Sequence, residues 1–100
     1  MDSLNAIVAD VMAGYAVKGL NGYSVLTSTA DQRFFTIVSI ADVKGQRVTT
    51  TSLIAHIEGD SVIIEHDINS KPLVDALIQV GIPREKIVLA YAGESYSEAA

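Results

Sequence analysis

The first apolar pattern along the chain has the spacing of a helix. Asp2 or Ser3 can cap its start, and Gly19 can end it. Apolar side chains recur at three- and four-residue intervals, at Leu4, Ile7, Val8, Val11, Met12 and Tyr15. This spacing places them on one stripe and predicts an amphipathic N-terminal helix that faces the core.

After Gly22 the chain changes to short runs of β-branched and aromatic residues separated by turn residues. These runs predict four strands, near residues 23–29, 33–43, 47–58 and 61–68. The connections between them are short, and short connections join antiparallel neighbours. We therefore expect a four-stranded meander.

A second helix is predicted at 70–80, with Asn69 or Ser70 as its cap and with Gly81 and Pro83 as its stop. Residues 87–91 then predict a short fifth strand. The fold class is α+β, an antiparallel four- to five-stranded meander sheet with an N-terminal and a C-terminal helix on one face. We expect one domain over residues 1–91 and a flexible tail over 92–100.

Pairing the strands through their turns predicts which residues share a face. Val38 falls opposite both Val25 and Leu53, and Val62 falls opposite Ile57. The face expected to meet the helices carries Tyr23, Val25, Phe34, Val38, Ile40, Leu53, Ala55, Ile57, Val62 and Ile64.

The other face is too apolar for an ordinary solvated surface. It carries Leu26, Phe35, Ile37, Ile54 and Ile63. Since both helices are needed on the first face, we predict that these five residues form a protein interface, in a homo-oligomer or with another partner. The alternative is that the segment from Ile87 to Ala100 folds back over them.

Composition and charge limit which partners and which cellular compartment we expect for the chain. Hydrophobic residues make up 49% of the chain and charged residues only 19%, which favours apolar surface that a partner covers. The formal charge of −5 disfavours direct contact with nucleic acid. The chain has no cysteine, no basic signal-peptide start and no apolar run long enough for a membrane span, so we expect a cytoplasmic protein.

The side chains best suited to catalysis or metal binding are His56 and the run Glu65-His66-Asp67. The predicted register puts the two histidines on opposite faces, which excludes a shared metal ion. Glu65 and Asp67 are spaced i, i+2 and could share a face and weakly hold magnesium, although two solvated acids on an exposed strand explain them equally well. No nucleophile elbow or phosphate loop is present, so no catalytic residue, cofactor or metal site is predicted.

The C-terminal third contains a strand, Asp67, a capped helix and then the segment Gly81-Ile82-Pro83-Arg84-Glu85-Lys86-Ile87-Val88-Leu89. This order resembles the XisI family of cyanobacterial proteins, most closely over residues 61–91. Ile63 stands where that family tends to have tryptophan, Lys86 where it tends to have an acid, and Ile68-Asn69 where Thr-Glu-like residues often follow the aspartate, which suggests a divergent member.

The resemblance implies a factor linked to excision of a DNA element during heterocyst differentiation. It would act beside a recombinase and a companion protein of the XisH type. The first functional hypothesis is therefore a non-enzymatic adaptor, control factor or assembly chaperone that binds another protein. The alternative is a small metal-dependent enzyme or nuclease-associated subunit that uses Glu65 and Asp67.

Overall fold

The computed structural model describes residues 3–96 and contains one five-stranded sheet with two helices. The strands lie in the order β1-β2-β3-β4-β5; the first four pair antiparallel and β5 runs parallel to β4. The predicted α+β class is thereby confirmed. The elements are α1 (Leu4–Ala13), β1 (Gly22–Ser28), β2 (Phe34–Val43), β3 (Gln46–Glu58), β4 (Ser61–Asp67), α2 (Leu73–Gln79) and β5 (Ile87–Leu89).

Helix α1 begins with a side-chain cap and ends earlier than predicted. The Ser3 hydroxyl accepts a hydrogen bond from the Ala6 amide at 3.2 Å, while Asp2, the other predicted cap, lies outside the described residues. The helix stops at Gly14 rather than Gly19. Residues 17–18 instead lie along the edge of β1, where Lys18 forms an antiparallel bridge with Tyr23.

Helix α2 is capped by a residue from the preceding strand. Neither Asn69 nor Ser70 serves as the cap, and the helix begins at Leu73 after Pro72. One carboxylate oxygen of Asp67 accepts the Leu73 amide at 2.7 Å, and the other accepts the Asn69 amide at 3.0 Å. Asp67 thereby fixes the turn between β4 and α2 and satisfies an otherwise unpaired helical amide.

A bulge in β3 changes which residues of β1 and β2 face the helices. The predicted pairing of Val25 with Val38 is correct, but Val38 pairs with Thr51, not Leu53, and the register shifts by one residue beside it. Such a shift moves every side chain beyond it to the other face.

The predicted faces of β1 and β2 are therefore wrong. Phe35 and Ile37 are buried in the core, and Leu26 is half-buried against it, so these three do not lie on a free surface. Tyr23, Val25 and Phe34 take the opposite face instead. The predicted faces of Leu53, Ala55, Ile57, Val62 and Ile64 are correct, since all five belong to the buried core.

The core lies between the helices and one face of the sheet. Val8 and Met12 of α1 and Leu73 and Leu77 of α2 pack there against the buried residues of β2, β3 and β4. The Tyr15 hydroxyl donates to the Lys71 carbonyl at 2.9 Å and joins the end of α1 to the start of α2. We call this helix-covered side of the sheet the inner face.

The predicted fifth strand is present, shorter than predicted, and the chain continues into a 3-10 turn at Ala90–Ala92. Glu94, inside the predicted tail, accepts the Leu89 amide at 2.9 Å and pairs with Arg84 at 2.7 Å. The first part of the tail is thus joined to β5, whereas residues 97–100 lie outside the described residues. Within residues 3–96, no helix has the length and apolar character needed to cross a membrane.

Candidate interaction surface

The side of the sheet opposite the helices exposes large apolar side chains. Tyr23, Val25 and Phe34 are 40%, 38% and 42% exposed. Val25 pairs with Val38, and Phe34 with His56, so alternation along the strands places all of them on this side. We call it the outer face; it also carries Thr27, Thr36, Ile40, Thr51, Ile54, Ile63 and Glu65.

Two of the five predicted interface residues lie on this outer face. Ile54 is half-buried in β3, and Ile63 of β4 is 3% exposed although it is not part of the core cluster. Leu26, Phe35 and Ile37 lie on the inner face, as described above. The predicted set is therefore divided between the two faces by the bulge in β3, and Tyr23, Val25 and Phe34 are the exposed residues that the sequence reasoning missed.

An aromatic and acidic cluster lies beside this apolar surface. The His56 ring stacks on Phe34 with their centroids 5.3 Å apart and their planes 9° apart. Its Nδ1 lies 3.0 Å from Glu58 and its Nε2 lies 2.7 Å from Glu65. Two carboxylates face one imidazole, so the cluster carries net negative charge whether or not the ring is protonated.

The residues of the metal hypothesis do not come together. A second bulge, in β4, shifts the register between Ile54 and Ala55, so Glu65 reaches His56 on the outer face while Asp67 turns to the start of α2. The prediction that these two acids share a face is wrong. His66 pairs with Ile54 and therefore lies on the outer face, so the prediction that the two histidines take opposite faces is wrong; its Nε2 lies 3.0 Å from the Thr51 carbonyl oxygen. Residues 3–96 contain no group of three or more potential ligands that could hold a metal ion.

Five of the seven basic side chains have a partner within the chain. Lys86 pairs with Asp60, Arg84 with Glu94 at 2.7 Å, and Arg47 with Asp42 at 3.9 Å. Arg33 donates to the Ile57 carbonyl and Lys71 to Gln79. The pairing with Lys86 lowers the pKa of Asp60, first through its hydrogen bond and then through its charge. Each of these five cations therefore has its own hydrogen-bond or ion-pair partner within the chain.

Sequence comparison identifies the family. The model of the XisI protein family matches residues 2–99. This chain belongs to the XisI family. The earlier resemblance, based mainly on residues 61–91, thus extends over almost the whole chain. No curated protein sequence matches it.

Two solved structures share the fold of this XisI family member. A XisI-like protein from Anabaena variabilis superimposes with a TM-score of 0.64 at 15% identity, covering 86% of this chain and 78% of that one. The fdxN element excision controlling factor XisI from the same organism gives a TM-score of 0.63 at 17% identity, covering 87% and 88%. At such identities the likeness shows a common fold.

Proposed function

We propose that this XisI family member is a non-enzymatic accessory protein that binds another protein through its outer face and takes part in controlling the excision of a DNA element. One observation carries the binding role: Tyr23, Val25 and Phe34 expose large apolar side chains on the side of the sheet opposite the helices. Exposed apolar patches mark binding sites on soluble proteins; here Tyr23 and Val25 are neighbours on β1, and the hydrogen-bonded pair Thr27–Thr36 lies between them and Phe34.

The chemistry of the outer face suits a partner with an apolar patch bordered by basic residues. Phe34 and His56 form a stacked pair, and aromatic side chains are frequent anchors at protein interfaces. Glu58 and Glu65 lie beside that pair and would attract basic side chains. A XisH-type companion or a recombinase is the partner we propose, and the cytoplasm is the compartment.

The role in excision rests on the family and on the described function of one structural relative, the excision controlling factor XisI. A protein partner, rather than direct DNA binding, fits the charge of −5 and the engaged basic side chains. The carboxylates of Glu65 and Asp67 already serve His56 and α2, which favours a non-enzymatic role.

The experiment is co-purification of the tagged chain with the XisH-type companion or the recombinase, each expressed together with it. Phe34→Lys places a charge on the outer face, and Ile78→Lys places the same charge on α2, where the exposed fraction is 44% against 42% for Phe34. We expect Phe34→Lys to abolish capture and Ile78→Lys to retain it, with both variants showing the parent helical signal. Equal capture by both variants would contradict the proposal.

A further inference from the structure

The two edges of the sheet differ in how well they are protected. Strand β5 has three residues and leads directly into a 3-10 turn, so it offers a short edge. Strand β1 has seven residues, from Gly22 to Ser28, and pairs with β2 without a bulge. Proteins usually protect such an edge with charged residues, proline or a bulge, and β1 has none of these.

The backbone groups that β1 leaves unpaired can be identified from the ladder. The Ser24 amide donates to the Val17 carbonyl rather than to β2, and the Thr29 amide donates to Phe34 of β2. Alternation therefore turns the amide and carbonyl of Leu26 and of Ser28 away from β2. Residues 17–18 cover the edge near Tyr23 and Ser24, and within the described range 3–96 no hydrogen bond reaches the outward backbone groups of Leu26 and Ser28.

We propose that two copies of this chain join through their β1 edges, antiparallel, with Thr27 on the two-fold axis. In this register Leu26 of each copy pairs with Ser28 of the other, and each pair exchanges both backbone hydrogen bonds. The outward backbone amides and carbonyls of Leu26 and Ser28 in both copies then all have hydrogen-bond partners. A register centred on Leu26 would pair Ser24 with Ser28, but Val17 already occupies the Ser24 amide.

Charge supports a second copy as the occupant of this edge. Two chains of net charge −5 repel each other in general, yet β1 contributes no charge to the contact. At each end of the contact, the turn bearing Asp31 of one copy lies against the segment bearing Lys18 of the other. The hydrogen bond from the Thr29 hydroxyl lowers the pKa of Asp31, which keeps the carboxylate ionised opposite the lysine.

This association goes beyond the proposed partner binding, since it uses the strand edge and leaves the outer face open. Two five-stranded sheets would become one continuous sheet. The outer faces of the two copies would then lie side by side, with Val25 of each copy next to Thr29 of the other. A dimeric partner could contact both at once.

Because the chain has no cysteine, a single introduced cysteine tests the register directly. In the proposed dimer the Thr27 residues form a pair outside the hydrogen-bonded rings, with Cα atoms ~4.5 Å apart, which a disulfide can span. The two Val25 residues are displaced by ~13 Å along the strands and cannot be bridged. We expect mild oxidation to convert Thr27→Cys to a covalent dimer and to leave Val25→Cys without one. Equal cross-linking of both variants, or of neither, would overturn the proposed register.

A second pair of variants tests the edge without a disulfide. Ser28→Pro removes an amide that has no partner among residues 3–96 and blocks the approach of another strand, whereas Ser28→Ala keeps the amide. Sedimentation at micromolar concentration should show a dimer for the parent and Ser28→Ala, and a folded monomer for Ser28→Pro. A monomeric parent, or a parent that pairs only with the strand of a different protein, would contradict self-association.

Discussion

The two faces of the sheet differ in what covers them. On the inner face, Phe35 and Ile37 are fully enclosed by the helices; on the outer face, their neighbour Phe34 is 42% exposed. Both faces have comparable side chains, so hydrophobicity alone does not decide which is core. The difference shows that strand register assigns residues to the core, and that the apolar residues left outside are available for binding.

The adjacent phenylalanines give the largest expected contrast. Phe35→Ala removes a buried ring from the core and should lower the free energy of unfolding by about 3–5 kcal/mol. Phe34→Ala removes a half-exposed ring stacked on His56 and should cost under about 1 kcal/mol. Urea denaturation of both variants measures the difference. Equal destabilisation would show that the two faces are not distinguished by burial.

The two acids near the end of β4 give an intermediate contrast. Asp67→Ala leaves the Leu73 amide at the start of α2 without its acceptor and should cost about 1–2 kcal/mol. Glu65→Ala loses only a surface pair with His56 and should cost about 0–1 kcal/mol. Thermal melts of the two variants test this. A larger loss for Glu65→Ala would mean that the outer cluster supports the fold.

The smallest expected effect concerns the acid that holds the chain after β5. The hydrogen bond from the Leu89 amide, followed by that from Arg84, lowers the pKa of Glu94 below its ordinary value of 4.5. The stabilisation of the folded state by ionised Glu94 is therefore complete above pH 4.5, and it is lost as the pH falls through the lower pKa that Glu94 has in the folded protein.

Glu94→Gln should reduce the melting temperature slightly at neutral pH and reduce the loss of stability on acidification. Melting curves at neutral pH and at successively lower pH give the comparison. If the parent and the variant lose stability identically with acid, Glu94 is not held in the way described.

The sequence predicted elements more reliably than faces. Periodicity located both helices and all the strands, because alternation and three-to-four spacing are local properties of the chain. The capping of α2 by Asp67 was missed, since a side chain six residues before Leu73 reaches the helix only after the turn has formed.

The error in the faces has one physical cause. The hairpin turn at Lys44 and Gly45, both with positive φ, would have preserved the predicted alternation between β2 and β3. The bulge beside Thr51 reversed the faces of all of β2 relative to Leu53, Ala55 and Ile57 and, through the correct pairing of β1 with β2, the faces of β1 as well. No glycine or proline lies in β3 to signal that bulge. The candidate surface could therefore be predicted in kind, while most of its residues could not.

The most direct test of the central claim compares two exposed tyrosines. Tyr23 lies on the outer face and is 40% exposed; Tyr91 is 44% exposed and belongs to the 3-10 turn after β5, where burial, Asp67 and Glu94 raise its pKa. Tyrosine modification followed by mass spectrometry would be measured for the free chain and for its complex with the XisH-type companion or the recombinase. We expect the complex to protect Tyr23 and to leave Tyr91 reactive. Protection of Tyr91 with Tyr23 still reactive would contradict it.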